Sequence, residues 1–201
     1  MAEAATSIIR PELTLPEQEA ECLRAAYQDA RVVLEYGSGG STVMAAEMPN
    51  KHVLSVESDR AWVQMMQAWF AENPPVENSK VDVIWADIGA TGEWGHPKGH
   101  DNWRSFANYP LKVWSLSKFE QPDVVLVDGR FRSGCILAAA FRTTKPLRVF
   151  VDDYQQRKHY HKVESFVGTP RMHGRMAEFE IQPMPVPADR LLEIMEMMTH
   201  P

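Results

Sequence analysis

Residues 31 to 57, RVVLEYGSGGSTVMAAEMPNKHVLSVE, restrict the fold more than any other stretch of the chain. Val32, Val33 and Leu34 form an apolar, β-branched run of the kind buried in a central strand. A turn of Gly37, Ser38, Gly39 and Gly40 follows, then a small apolar helix from Thr42 to Ala46. A second apolar strand, His52 to Val56, closes on Glu57. Strand, glycine-rich turn, helix and strand in that order predict a β-α-β unit with parallel strands. Ligands of parallel sheets bind beyond the carboxyl ends of the strands, where this turn falls. Glycines suit the turn because it needs unusual dihedrals and lets a ligand approach the backbone. A carboxylate at Glu57 can accept two hydrogen bonds from a ribose diol, so the unit predicts a nucleoside-binding site.

The run Glu35-Tyr36-Gly37-Ser38-Gly39-Gly40 resembles the first motif of class I S-adenosylmethionine-dependent methyltransferases, an acid two residues before the first glycine of a Gly-x-Gly turn. A nicotinamide-binding turn prefers Gly-x-Gly-x-x-Gly, and here Thr42 holds the place of its third glycine. The methyltransferase pattern usually has a further glycine where this chain has Ser41. Glu35 separates the two patterns, because a carboxylate suits a cofactor carrying a sulfonium and an ammonium and repels a pyrophosphate. The resemblance covers about residues 31 to 182. It implies a doubly wound α/β fold, a mostly parallel sheet with helices on both faces, in strand order 3-2-1-4-5-7-6. One of the last two strands is hard to find in the sequence. The resemblance also implies S-adenosylmethionine as cofactor, with Glu35, Gly37, Gly39, Glu57, Asp87 and Asp128 around it. Asp87 ends the third strand, where the family commonly meets the adenine amino group. Asp128 ends the fourth strand, VVLV, at the family's fourth motif.

The chain divides into an N-terminal helical region (1–30), the cofactor-binding unit (31–182) and a helical tail (183–201), one domain overall. Thr14-Leu15-Pro16-Glu17 has the spacing of a capping box before a helix from Pro16 to Asp29. That helix should pack Ala20, Leu23, Ala26 and Tyr27 on the sheet. A helix from Asp59 to Ala71 presents Ala61, Met65, Ala68 and Trp69. Residues 88 to 108 lack periodicity, and a loop of that length in a compact domain is usually functional or disordered. Trp94 and Trp103 argue against disorder, so the loop is expected on the acceptor side, with His96 and His100 as acid-base candidates. Further helices are expected over Tyr109 to Lys118, Ser133 to Phe141 and Gln155 to Val167, and an antiparallel edge strand over Arg175 to Gln182. The methionine-rich helix from Asp189 to Met198 needs a partner surface, either a sheet edge or a second copy in a homodimer.

Composition narrows the function. The 201 residues are 44% hydrophobic, enough for one soluble core. Cys22 and Cys135 lack metal-ligand spacing, which fits a reducing cytoplasm. There is no leader pattern and no membrane-spanning run, so the mature protein is expected to equal the gene product. A net charge of −6 argues against nucleic acid as a partner. Residues 130 to 175 nevertheless hold 10 lysines and arginines against 3 acids, which reads either as a region that draws an anionic small-molecule acceptor or as a solvated face with no ligand.

Methyl transfer to oxygen needs a nearly deprotonated hydroxyl held in line with the sulfonium. Asp128, and Asp152 with Asp153 at the end of the fifth strand, could converge and hold Mg²⁺, as in metal-dependent O-methyltransferases. Asp128, Asp152 and His100 are then the catalytic candidates. In the other reading Asp152 or Asp153 caps a following helix and Asp128 touches only cofactor or backbone. At the level of function, the chain is a methyltransferase acting on a small acceptor, at oxygen, or a related binding or assembly module without catalysis.

Overall fold

Two apolar runs make the centre of the sheet. β1 (Val32–Tyr36) is buried at every position and lies parallel to VVLV, with Val33 opposite Val124 and Tyr36 opposite Val127. The computed structural model describes residues 9–201; the first eight residues of the expected N-terminal region lie outside the described residues. From β1 the sheet grows outward through β2 (His52–Glu57) and β3 (Lys80–Trp85). In the other direction run β4 (Val124–Val127) and β5 (Leu147–Val151), all parallel. β6 (Arg171–His173) and β7 (Met176–Ile181) form a hairpin, and β7 pairs antiparallel with β5. The order β3-β2-β1-β4-β5-β7-β6 is the one the resemblance implies. The expected edge strand at 175–182 is therefore one place inside the edge. The strand hidden in the sequence is β6, only three residues long before Gly174, at φ 56°, reverses the chain.

Helices cover both faces. α1 (Glu17–Asp29) buries Ala20, Leu23, Ala26 and Tyr27 as spaced, but the capping box does not form: Pro16 is the N-cap, without a side-chain bond. α2 (Gly40–Ala46) is short and nearly all buried. α3 (Arg60–Glu72) is capped by Asp59, whose carboxylate accepts the Ala61 and Trp62 N–H groups at 2.8 and 3.1 Å. Its buried face is Val63, Met66 and Trp69: Trp69 is buried as expected, while Val63 and Met66 take the places expected of Ala61, Met65 and Ala68. Residues 88 to 108 are ordered by a bridge between Thr91 and Pro97 and by α4 (Trp103–Phe106).

The helix expected from Tyr109 breaks into α5 (Asn108–Leu111) and a 3₁₀ turn, with Pro110 inside it unable to donate a helical bond. After β4, α6 (Arg132–Arg142) is buried along most of its length. The expected Gln155 helix is a 3₁₀ stretch, Lys158–Val163, running into α7 (Glu164–Val167). α8 (Leu191–Thr199) packs Ile194, Met197 and Met198 into the core beside α6; a Cβ on Gly134 would lie 2.9 Å from the Met198 Cα. The methionine-rich helix thus covers a helical layer rather than a sheet edge. Among the described residues, no helix is long and apolar enough to cross a membrane.

Candidate functional site

Because β1 lies between β2 and β4, the turn after β1 is flanked by Glu57 on one side and Asp128 on the other. These three strand ends enclose a cavity of about 430 Å³. Gly37 to Ser41 line it from β1, Glu57, Asp59 and Trp62 from β2 and α3, and Asp128 to Arg130 from β4. The extended segment Pro11 to Leu15 and loop residues Trp94 and Gly95 complete the lining.

The three glycines of the turn do different work. Gly37 sits at φ 103°, and a Cβ there would lie 2.8 Å from the Gly129 N, so this glycine lets two strand-end turns touch. At Gly40 a Cβ would run into the Glu12 and Leu13 backbone at 2.2 Å, which fixes the N-terminal segment against the turn. Around Gly39 nothing lies within 4 Å of a built Cβ. Gly39 is therefore the glycine whose missing side chain leaves cavity space for a ligand.

Glu35 is fully buried and does not line the cavity. Its carboxylate accepts the Tyr27 hydroxyl at 2.7 Å and the Thr42 hydroxyl at 2.5 Å, and Thr42 Oγ1 in turn accepts the Gly39 N–H at 3.0 Å. Glu35 thus acts through Thr42 to hold the turn, a positioning residue rather than a ligand contact. Burial raises its proton affinity, and the hydrogen bonds from Thr42 and Tyr27 oppose that rise.

Glu57 does face the cavity. Its Oε1 accepts the Ser58 and Asp59 N–H groups at 2.6 and 2.9 Å, while Oε2 has only a 3.4 Å contact from the Ser38 N–H. Oε2 is the oxygen left for a diol. Burial raises the Glu57 pKa, and the backbone donors lower it.

Asp128 stands across the turn. Desolvation is the main cause that raises its pKa, to about 6; Arg132 opposes it, and Asp152 and Asp153 reinforce it. Arg132 donates to Asp128 Oδ1 at 3.2 Å, which leaves Oδ2 without a partner among the described residues.

The expected metal triad is not assembled. Asp152 is buried and has both oxygens bound by Arg175, at 2.8 and 2.6 Å. Asp153 is held by Arg157 at 3.0 Å, with Arg132 at 3.8 Å and Arg175 at 3.4 Å. Arginines already occupy Asp152 and Asp153, only Asp128 Oδ2 is left open, and among the described residues these three carboxylates do not form a group close enough to hold one ion, so the residues do not fit Mg²⁺. No helix starts near Gln155 either, and so neither aspartate is a helix cap.

Asp152 and His100 are not brought to the cavity. His100 is exposed, with its ring 6.5 Å from that of Phe106. His96 turns Nδ1 to its own loop, on the Pro97 carbonyl. Asp87 is exposed, accepts the Gly89 N–H at 3.0 Å and lies outside the cavity lining.

Two aromatic residues at the cavity were not among the expected site residues, though Trp94 lies in the loop expected there. Trp62 donates its indole N–H to the Ser38 carbonyl at 2.7 Å. Trp94 is 86% exposed with a left-handed backbone at φ 56°, a costly conformation for a large aromatic residue at a cavity mouth. The acid on β2 two residues before the α3 cap, and the aromatic in an aperiodic loop, were the available signals.

Neither a scan against protein-family models nor a search of curated proteins returns a match. Among solved structures, a methyltransferase-like protein from Silicibacter pomeroyi is 58% identical, with a TM-score of 0.93 over 96% of this chain and 99% of that chain. An O-methyltransferase from Bacillus cereus in complex with SAH is 12% identical, with a TM-score of 0.54 over 89% of this chain and 86% of its own. The O-methyltransferase TomG from Streptomyces achromogenes, in complex with SAM, is 13% identical, with a TM-score of 0.53 over 86% and 82%. The last two share the fold alone, whereas the first, together with the sheet order and the Glu-x-Gly-x-Gly turn at the cavity, places this chain in the class I S-adenosylmethionine-dependent methyltransferase family.

Proposed function

We propose that the cavity binds S-adenosylmethionine and that the chain transfers its methyl group to the oxygen of a small-molecule acceptor. The observation that carries this reading is the placement of Glu57 and Asp128 on either side of Gly39, the turn residue with free space at its Cβ. The cavity fits the cofactor's chemistry: a carboxylate for the ribose diol, open backbone at the centre and a second carboxylate for the cationic amino-acid end. Trp62 and Trp94 supply aromatic surface near Glu57 for the adenine, a place sequence reasoning gave to Asp87. When bound, the cofactor supplies an electrophilic methyl group on sulfur.

The protein's part is alignment and charge. Glu35 and Thr42 fix the Gly39 backbone, and Glu57 Oε2 fixes the ribose. Asp128 is ionised at neutral pH, and its pKa, raised to about 6, lets it also take up a proton. Its free Oδ2 is then suited to take the proton from the acceptor hydroxyl. This needs no metal ion.

Calorimetry with S-adenosylmethionine and S-adenosylhomocysteine on the purified chain tests the reading, followed by an assay for S-adenosylhomocysteine released over a panel of hydroxyl compounds. Absence of binding by both cofactor forms would sink it. Binding without turnover over the whole panel would favour the non-catalytic module.

A further inference from the structure

The ends of β4 and β5 carry four arginines and three aspartates. Arg132, Arg157 and Arg175 each hold an aspartate. Arg130 holds none among the described residues, and its Nε is buried without a hydrogen-bond partner. It lines the cavity two residues beyond Asp128. Its backbone is fixed, with the N–H on the Tyr109 hydroxyl at 3.3 Å and the carbonyl accepting the Cys135 thiol at 3.5 Å. The guanidinium lies in the fields of Arg132, Tyr160, Tyr109 and Arg157. Arg130 is half-buried, and a buried guanidinium nitrogen without a partner, set among other cations, is costly unless a ligand completes it.

We propose that Arg130 is the counter-ion for a carboxylate or phosphate group on the methyl acceptor. The proposal rests on the S-adenosylmethionine reading of the same cavity. With the ribose at Glu57 and the amino-acid end at Asp128, Arg130 is a cation that lines the same cavity and is taken by neither of those groups. Guanidinium is suited to this because its planar fork matches both anions with two parallel hydrogen bonds. The excess of basic residues between 130 and 175 favours approach of the same charge.

The test titrates inorganic phosphate and benzoate by calorimetry into the chain, both unliganded and saturated with S-adenosylhomocysteine. Both anions should bind wild type, and Arg130→Gln should weaken them about ten-fold or more, the scale of a lost charged hydrogen-bond pair. Arg130→Lys should lose about three-fold by keeping charge without the fork, and it carries the test if Arg130→Gln fails to fold. Lys158→Gln, an exposed cation on the same stretch, should leave anion binding unchanged. Anion affinity untouched in both Arg130 variants, or no anion binding by wild type, would overturn the proposal. So would an Arg130→Gln chain that binds S-adenosylhomocysteine about ten-fold more weakly but 5′-methylthioadenosine normally, since the guanidinium would then serve the cofactor's own carboxylate. Failure of wild type to bind S-adenosylhomocysteine would instead count against the cofactor reading, while titration of the unliganded chain still reports on Arg130.

Discussion

Asp128 makes cofactor affinity depend on pH in a way that can be worked from the structure. Its carboxyl is pushed to about 6, chiefly by desolvation. The charged groups around it are Arg132, which holds Oδ1, and Asp152, Asp153 and Arg175, which act through their fields. A ligand ammonium is attracted only to the ionised form. At pH 5 roughly one tenth of Asp128 is ionised, and at pH 7.5 nearly all of it, so S-adenosylhomocysteine should bind about ten-fold more weakly at pH 5, a difference of about 1.4 kcal/mol.

The same shift has the opposite sign for the unliganded chain. A carboxyl whose folded pKa is raised above 3.8 adds stability that is fully present below that value and is lost as pH rises through about 6. Ligand binding should therefore raise the melting temperature more at pH 7.5 than at pH 5. Calorimetry across that range, on wild type and on Asp128→Asn, reads both effects. A flat wild-type profile, or the same slope in Asp128→Asn, would refute the assignment of Asp128 to the cationic end.

Gly39→Ala should reduce cofactor affinity with little change in melting temperature, because nothing in the protein lies within 4 Å of its Cβ, which enters ligand space. Gly37→Ala should do the reverse, costing about 1–3 kcal/mol of stability in chemical denaturation through its φ of 103° and the Gly129 contact. Glu57→Gln should weaken cofactor binding by about 1.5–3 kcal/mol, read by calorimetry, if Oε2 holds the ribose. Asp152→Ala should cost about 1.5–3 kcal/mol in the same unfolding assay by removing two charged hydrogen bonds from Arg175, which keeps Asp153 at 3.4 Å, and chelator should leave wild-type turnover unchanged.

The fold was legible because it is written in local pattern. Val32 to Leu34 and Val124 to Val127 announce central strands, and β2, β3, β4 and β5 each end within two residues of a carboxylate, as sequence reasoning expected. β6 was not legible, since three residues carry no periodicity and exist as a strand only by pairing with β7. The site was half legible for a related reason. Glu57, Gly39 and Asp128 do reach the cavity, but Glu35 is turned inward by Tyr27 and Thr42, and Gly37 answers to Gly129, some 90 residues away in the chain. Partners so distant in sequence leave no mark on spacing. The arginines that dismantle the metal triad are of this kind too: Arg175 reaches Asp152 only because the β6–β7 hairpin folds back on β5.

That fold-back also says why the chain carries so many charges at one edge. Ends of parallel strands gather carboxylates at a site where a cationic cofactor needs one of them, Asp128, ionised. Left alone, Asp152 and Asp153 would raise the Asp128 pKa further and push it toward the neutral form at physiological pH. Arg175 and Arg157 neutralise those two neighbours, and Arg132 bridges Gly129, Asp128 and Asp152 through one guanidinium. The arginines thus hold the Asp128 pKa near 6 rather than higher, keeping it ionised at neutral pH yet close enough to neutrality to take a proton during transfer. Removing Arg132 should accordingly raise the Asp128 pKa and move the pH at which cofactor affinity falls toward alkaline values, as calorimetry on Arg132→Gln would record. A midpoint unchanged from wild type would mean that Asp128 is governed by desolvation alone and that the surrounding arginines serve only to staple β4 to β5.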